Sequence, residues 1–129
     1  MTYYFSKIFN DKGFDEAIAE VTEALKQEGF GVLTEIDVQG TLKQKLDVDF
    51  RKYRILGACN PHFAYKAFQA EDKIGILLPC NVIVQEHDDG SVEVAAMNPV
   101  AAMSAVQNEE LGGLAGEVEK IMERVVNSL

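Results

Sequence analysis

Residues 53–64, Tyr53-Arg54-Ile55-Leu56-Gly57-Ala58-Cys59-Asn60-Pro61-His62-Phe63-Ala64, change character at their middle. Tyr53 to Cys59 is rich in aromatic, β-branched and small apolar residues and reads as a strand. Asn60 is suited to cap a helix, and Pro61 is preset for the first helical position, where its missing N–H costs nothing. Phe63, Ala64, Ala67 and Phe68 then give the predicted short helix an apolar face. Ala96-Met97-Asn98-Pro99 repeats the device, a strand ending in Ala-X-Asn-Pro where a helix starts.

Toward the amino terminus, Tyr3 to Ile8 reads as a first strand closed by the turn Asn10-Asp11-Lys12-Gly13. Phe14, Ile18, Val21 and Leu25 recur at helical spacing, with Asp15, Glu16, Glu20, Glu23 and Lys26 on the other side, which predicts an amphipathic helix. Gly29 stands where a left-handed residue would end that helix, and Gly31 to Val38 reads as a second strand. A short helix over Thr41 to Leu46 is expected from sparse apolar residues.

Toward the carboxyl terminus, Gly75 to Glu86 reads as one long apolar strand in which Pro79 implies a bulge or an edge. His87-Asp88-Asp89-Gly90 is a hairpin signal leading to the alternating Ser91 to Ala95, and His87 beside the turn is expected to be exposed. After Asn98-Pro99 a short Ala/Met-rich helix is expected to run to about Gln107. A last helix from about Asn108 carries the stripe Leu111, Leu114, Val118, Ile121, Met122, Val125 and Leu129. Gly112, Gly113 and Gly116 each weaken it by roughly 1 kcal/mol relative to alanine, so close packing against the sheet is expected to compensate. The whole is expected to be a single α+β domain over residues 1–129. Its predicted form is a two-layer sandwich, a sheet of about five strands with the first and last long helices on one face.

With 129 residues, 47% of them hydrophobic and 26% charged, the chain is long enough to bury a core without disulfides or metal staples. Twelve Lys and Arg against 21 Asp and Glu leave a formal charge of −9, which repels a phosphate backbone, so nucleic acid is not an expected partner. The longest nearly uncharged apolar run, Ile74 to Val84, falls short of a membrane span and is interrupted by Pro79, so no membrane partner is expected. Met1-Thr2-Tyr3-Tyr4-Phe5-Ser6-Lys7 lacks the pattern of a secretory signal, and a cytoplasmic location with both cysteines as free thiols is expected.

Cys59 immediately precedes a predicted helix start, where a thiol pKa is lowered and the thiolate serves as nucleophile or metal ligand. His62 lies three positions on, and Cys80 lies in a strand that could pair with the one ending at Cys59. The plain alternative is that each cysteine is a small buried hydrophobe. Two thiols and one imidazole make three ligands where a closed zinc site needs four, and no metal or cofactor is assigned. The two Asn-Pro helix starts could together hold an anion if they share one side of the sheet, although capping alone accounts for both. Lys43, Lys45, Arg51, Lys52 and Arg54 form a basic stretch suited to an anionic partner or simply to solvent. Glu35, Asp37, Glu86, Asp88 and Asp89 lie near strand ends, and no spacing selects an acid/base pair among them. Nucleotide-loop and serine-elbow motifs are missing from the sequence.

Gly29 to Asp37, Thr41 to Lys45, Tyr53 to Pro61, Ile76 to Val82 and Asp89-Gly90, taken in order, resemble the bacterial and archaeal domain-of-unknown-function family 302 over nearly the whole chain. The resemblance implies a fold similar to that of the TATA-box-binding protein, β-α-β4-α with extra elements, often as a homodimer. It implies no DNA binding and no established activity, and it marks Cys59, Asn60, Pro61, Pro79, Cys80 and Asn81 as motif positions only. The expected function is therefore that of a ligand-binding or interaction module, with Cys59, Asn60, His62, Cys80 and Asn81 bordering a pocket for a small molecule. A thiol-dependent enzyme or redox protein using Cys59, or transition-metal binding through Cys59, Cys80 and His62, are the alternatives.

Overall fold

A computed structural model describes residues 2–129. Five strands, β1 (Tyr4–Phe9), β2 (Gly31–Asp37), β3 (Tyr53–Cys59), β4 (Cys80–Glu86) and β5 (Val92–Met97), form one sheet in the order β1-β5-β4-β3-β2. Every neighbouring pair is antiparallel. Two long helices, α1 (Phe14–Gln27) and α5 (Glu109–Asn127), contact the sheet and each other, and α2 (Val38–Leu46), α3 (Pro61–Ala70) and α4 (Pro99–Ala102) are inserted between strands. The order is thus β-α-β4-α with extra elements, in two layers.

Period-2 alternation decides which face is covered. Val82 and Val84 of β4, with Val92, Val94 and Ala96 of β5, are fully buried under Val21 and Leu25 of α1 and Met122 and Val125 of α5. The intervening residues face away from the helices. Register aligns Ile36, Ile55, Ile83, Ala95 and Ser6 in one row across all five strands on that open face. The register slips between Val32 and Thr34 of β2, so Leu33 is an extra residue in an edge strand.

The helix ends follow the expected chemistry. Gly29, at φ +84°, ends α1: its N–H donates to Lys26 O and the Phe30 N–H to Leu25 O, satisfying the last carbonyls of the helix. Asn108 Oδ1 accepts the Leu111 N–H at the start of α5.

Four expectations are corrected. The strand foreseen from Gly75 begins only at Cys80, because Ile74–Leu77 forms a 3₁₀ turn. Ile74 is buried there in a second apolar cluster with Ala67, Met103, Leu111 and Ala115, while Ile76 is exposed, a pattern of turn rather than strand. The helix after Asn98 ends at Ala102 rather than Gln107. The helix foreseen over Thr41 to Leu46 starts earlier, at Val38, because Asp37 caps it by accepting the Gly40 N–H. The glycines of α5 gain no close packing: a Cβ at Gly112, Gly113 or Gly116 would meet only open space, and the helix is held instead by Leu111, Ala115, Val118, Met122, Val125 and Val126.

Candidate functional site

Because β3 and β5 flank β4 and run opposite to it, the end of β3, the end of β5 and the start of β4 lie at one end of the sheet. The two Asn-Pro helix starts therefore come to the same place. Asn60 Oδ1 accepts from the His62 and Phe63 N–H groups, at 3.0 and 3.4 Å, and Asn98 Oδ1 accepts from the Val100 N–H at 3.0 Å. Each asparagine thus occupies the donors that an anion would need, and capping is their work in the fold. Asn98 does more: it is buried, and it donates its Nδ2 to Thr2 O and its backbone N–H to Tyr3 O, fastening the first strand.

Between this end of the sheet and α3, α4 and α5 lies a narrow cavity of about 40 Å³, walled by Phe30, Phe63, Leu78, Met103, Leu111 and Val118. It sits at the seam between the main core under the sheet and the smaller cluster of Ala67, Ile74, Met103, Leu111 and Ala115. About 40 Å³ is room for a few waters or a slim apolar group, well below the several hundred Å³ of a typical small-molecule pocket.

Cys59 and Cys80 both line this cavity, and Asn60 stands beside them. The β3–β4 register pairs Ala58 with Cys80, which sets Cys59 diagonally next to it. Both thiols are free; Cys80 is buried and Cys59 half-buried. Burial first, and the nearby Cys59 second, push the Cys80 thiol up to about 11. Cys80 is accordingly a protonated thiol at neutral pH and not a resting thiolate.

The other two candidates stand apart. His62 is exposed on the first turn of α3 and does not line the cavity. Asn81 follows Cys80 in β4, so alternation turns it to the open face of the sheet. Among the described residues, no three His, Cys, Asp or Glu side chains converge to hold a metal ion. The basic stretch is spent largely within the chain: Lys43 pairs with Asp47 and Asp49, Arg54 with Glu35, and Arg51 donates to Gln85 Oε1. Asp89 accepts from the Ser91 N–H and hydroxyl, which holds its carboxyl below the usual range, so its role is in the turn. His87, expected to be exposed, is half-buried with Nε2 3.0 Å from Glu93 Oε1.

The apolar walls from Phe30, Leu78, Met103 and Leu111 were invisible as site residues, since they come from four separate segments and no spacing links them. The split of Cys80 from Asn81 was legible in the alternation of Cys80, Val82 and Val84.

A family model described as "Domain of unknown function DUF302" matches residues 5–129. Among solved structures, the chain is similar to an uncharacterized conserved protein DUF302 from Bacillus stearothermophilus, at 27% identity and a TM-score of 0.90, over 98% of each chain. No curated protein matches the sequence. Among the described residues, no helix is long and apolar enough to cross a membrane.

Proposed function

We propose that this chain, which belongs to the DUF302 family, is a cytoplasmic binding module that takes a slim apolar ligand, or an apolar arm of one, into the cavity beside Cys59 and Cys80. The observation that carries the reading is the position of the cavity: it lies between two separate apolar clusters. On this reading side chains of the smaller cluster such as Met103 and Leu111 turn aside to admit the ligand, while the core under the sheet stays closed. Asn60 and the two thiols are the few polar groups at its wall, and they would fix the ligand's orientation.

Protein purified under native conditions is expected to release a stoichiometric apolar molecule into a denaturing extract read by mass spectrometry. Ala64→Phe, which fills the cavity from α3, is expected to abolish that release while the fold persists by circular dichroism. An empty extract from the wild-type protein, or an unchanged one from the filled variant, overturns the reading.

The module acts as a homodimer. Support comes from Tyr65, Phe68 and Ile76, which are 66%, 47% and 82% exposed beside the smaller cluster, with Phe68 against Gly75. Sedimentation of the wild-type protein is expected to give a dimer, and Phe68→Ser with Ile76→Ser a monomer; a monomeric wild type refutes the assembly.

A second reading, a reactive thiol, is favoured by the half-buried position of Cys59 immediately before α3, with Cys80 as its neighbour. Rapid alkylation of Cys59 at neutral pH, with Cys80 untouched, is the result it requires; two inert thiols would remove it.

A further inference from the structure

The open face of the sheet holds a broad groove of about 410 Å³, ten times the volume of the cavity between the clusters. Its floor is Ile83 and Ala95, adjacent in the row of small and branched side chains that crosses the sheet. Tyr3 and Tyr4 stand at one side, with ring centroids 5.0 Å apart in an edge-to-face arrangement, and Tyr53 closes another. The polar lining is Asn81, Gln85 and Glu93, and neither lysine nor arginine contributes to it among the described residues.

Glu93 is the one charged residue of that lining, and its carboxylate is set in place rather than free. Its side chain is 17% exposed, Gln85 Nε2 donates to Oε1 at 3.0 Å, and His87 Nε2 lies 3.0 Å from the same oxygen. Gln85 is oriented in turn by Arg51, whose Nε donates to Gln85 Oε1 at 2.8 Å. Oε2 of Glu93 accepts from no group among the described residues. The Tyr53 ring is already engaged within the chain: the Arg51 guanidinium rests 4.4 Å from the centre of Phe50 and 5.7 Å from that of Tyr53.

From these groups we infer that the open face is a binding site for a small protonated organic amine carrying a planar apolar body. The ammonium would donate to the unused oxygen of Glu93 at one end of the groove, and the apolar body would lie on Ile83 and Ala95, reaching toward Tyr3, Tyr4 and Asn81 at the other. The Glu93 carboxylate favours a cation over a neutral or anionic molecule of the same shape, and the rings of Tyr3 and Tyr4 offer the apolar body an aromatic contact at the other end of the groove. The charge of −9 on the whole chain adds attraction at long range and repels anionic competitors. Nucleotides and acidic metabolites are disfavoured on the same ground. The site is separate from the apolar cavity, since the β4 backbone lies between Asn81 on one face and Cys80 on the other.

Benzylammonium is the probe, with benzyl alcohol and benzoate as its neutral and anionic counterparts. Backbone-amide NMR titration of the full chain is expected to show saturable shifts for benzylammonium, clustered in β4, β5 and the first strand, at least tenfold weaker binding of benzyl alcohol, and none of benzoate. Glu93→Gln is expected to weaken benzylammonium about tenfold. Tyr3→Ala, at a side chain 70% exposed and therefore neutral for folding, is expected to weaken it severalfold. Equal affinity for amine and alcohol, shifts confined to the cavity around Cys59, binding insensitive to both variants, or a face protected from titration because a second copy covers it would each overturn the assignment.

Discussion

Gly57 offers the sharpest test of the sheet geometry. It lies in the middle of the strand pair that leads to Cys59, opposite Thr34 on β2 and Asn81 on β4. A Cβ there would stand 2.2 Å from Thr34 Oγ1 and 2.7 Å from Pro79 Cγ. Both are closer than carbon atoms approach, and although the threonine hydroxyl could turn aside, the proline ring is fixed to the backbone. Overpacking of this kind costs about 1–3 kcal/mol, and two clashes place Gly57→Ala toward the upper end. The lower conformational entropy of the unfolded alanine chain returns about 0.4–1 kcal/mol, leaving a net loss of about 2 kcal/mol. At about 2.1 cal/mol/K per residue, a 129-residue domain then loses about 7 °C in Tm. Thr34→Ala removes the nearer clash, so the double variant is expected to recover about half of the loss, a coupling that urea unfolding of the four proteins in a double-mutant cycle would measure. A Gly57→Ala protein as stable as the wild type, or two substitutions that simply add, would refute this placement of Thr34 and Pro79 over β3.

Two further predictions concern Cys80 and the paired helix starts. The Cys80 thiol titrates at about 11 in the folded chain against 9.0 ordinarily, so above pH 9 the unfolded state releases a proton that the folded state keeps. Stability from this group is therefore complete below about pH 9 and falls by about 2–3 kcal/mol as the pH rises toward 11. The difference between wild type and Cys80→Ala in urea unfolding from about pH 8 to about pH 10.5 isolates it, and a constant difference would contradict the burial of the thiol. The paired helix starts should respond unequally: Asn60→Ala is expected to cost about 1 kcal/mol, the loss of a cap, and Asn98→Ala about twice that, because Asn98 also donates to Thr2 O. Equal losses would show that the bonds from Asn98 to the first strand contribute nothing.

The elements that could be read in the sequence are those whose signals are local. The stripe of Phe14, Val21 and Leu25 with Gly29 behind it, the Asn60-Pro61 start, the Asp89-Gly90 turn and the Leu111 to Val125 stripe each appear where expected. Ile74 to Leu78 could not be placed, because a short apolar run suits a buried strand and a turn alike, and what decides it is a cluster built by Met103, Leu111 and Ala115, which lie far along the chain. Of the five expected site residues, Cys59, Asn60 and Cys80 meet at one cavity, and this rested on guessing that β3 pairs with β4. His62 missed the cavity because proximity in sequence at a helix start says nothing of direction. The groove on the open face was out of reach: Tyr3, Tyr53, Asn81 and Glu93 come to line one groove only through a register spanning four strands.

The slip at Leu33 has a consequence for the molecule in a crowded solution. β2 is the outer strand on its side and carries Leu33 and Ile36 at 69% and 49% exposure, the composition of a template for accretion. The extra residue breaks the even spacing of unpaired amides along that rim, so an incoming extended chain loses step after a few bonds. Such an irregularity is one way an edge strand is blunted, and deleting Leu33 is expected to straighten β2 and speed aggregation, read by light scattering.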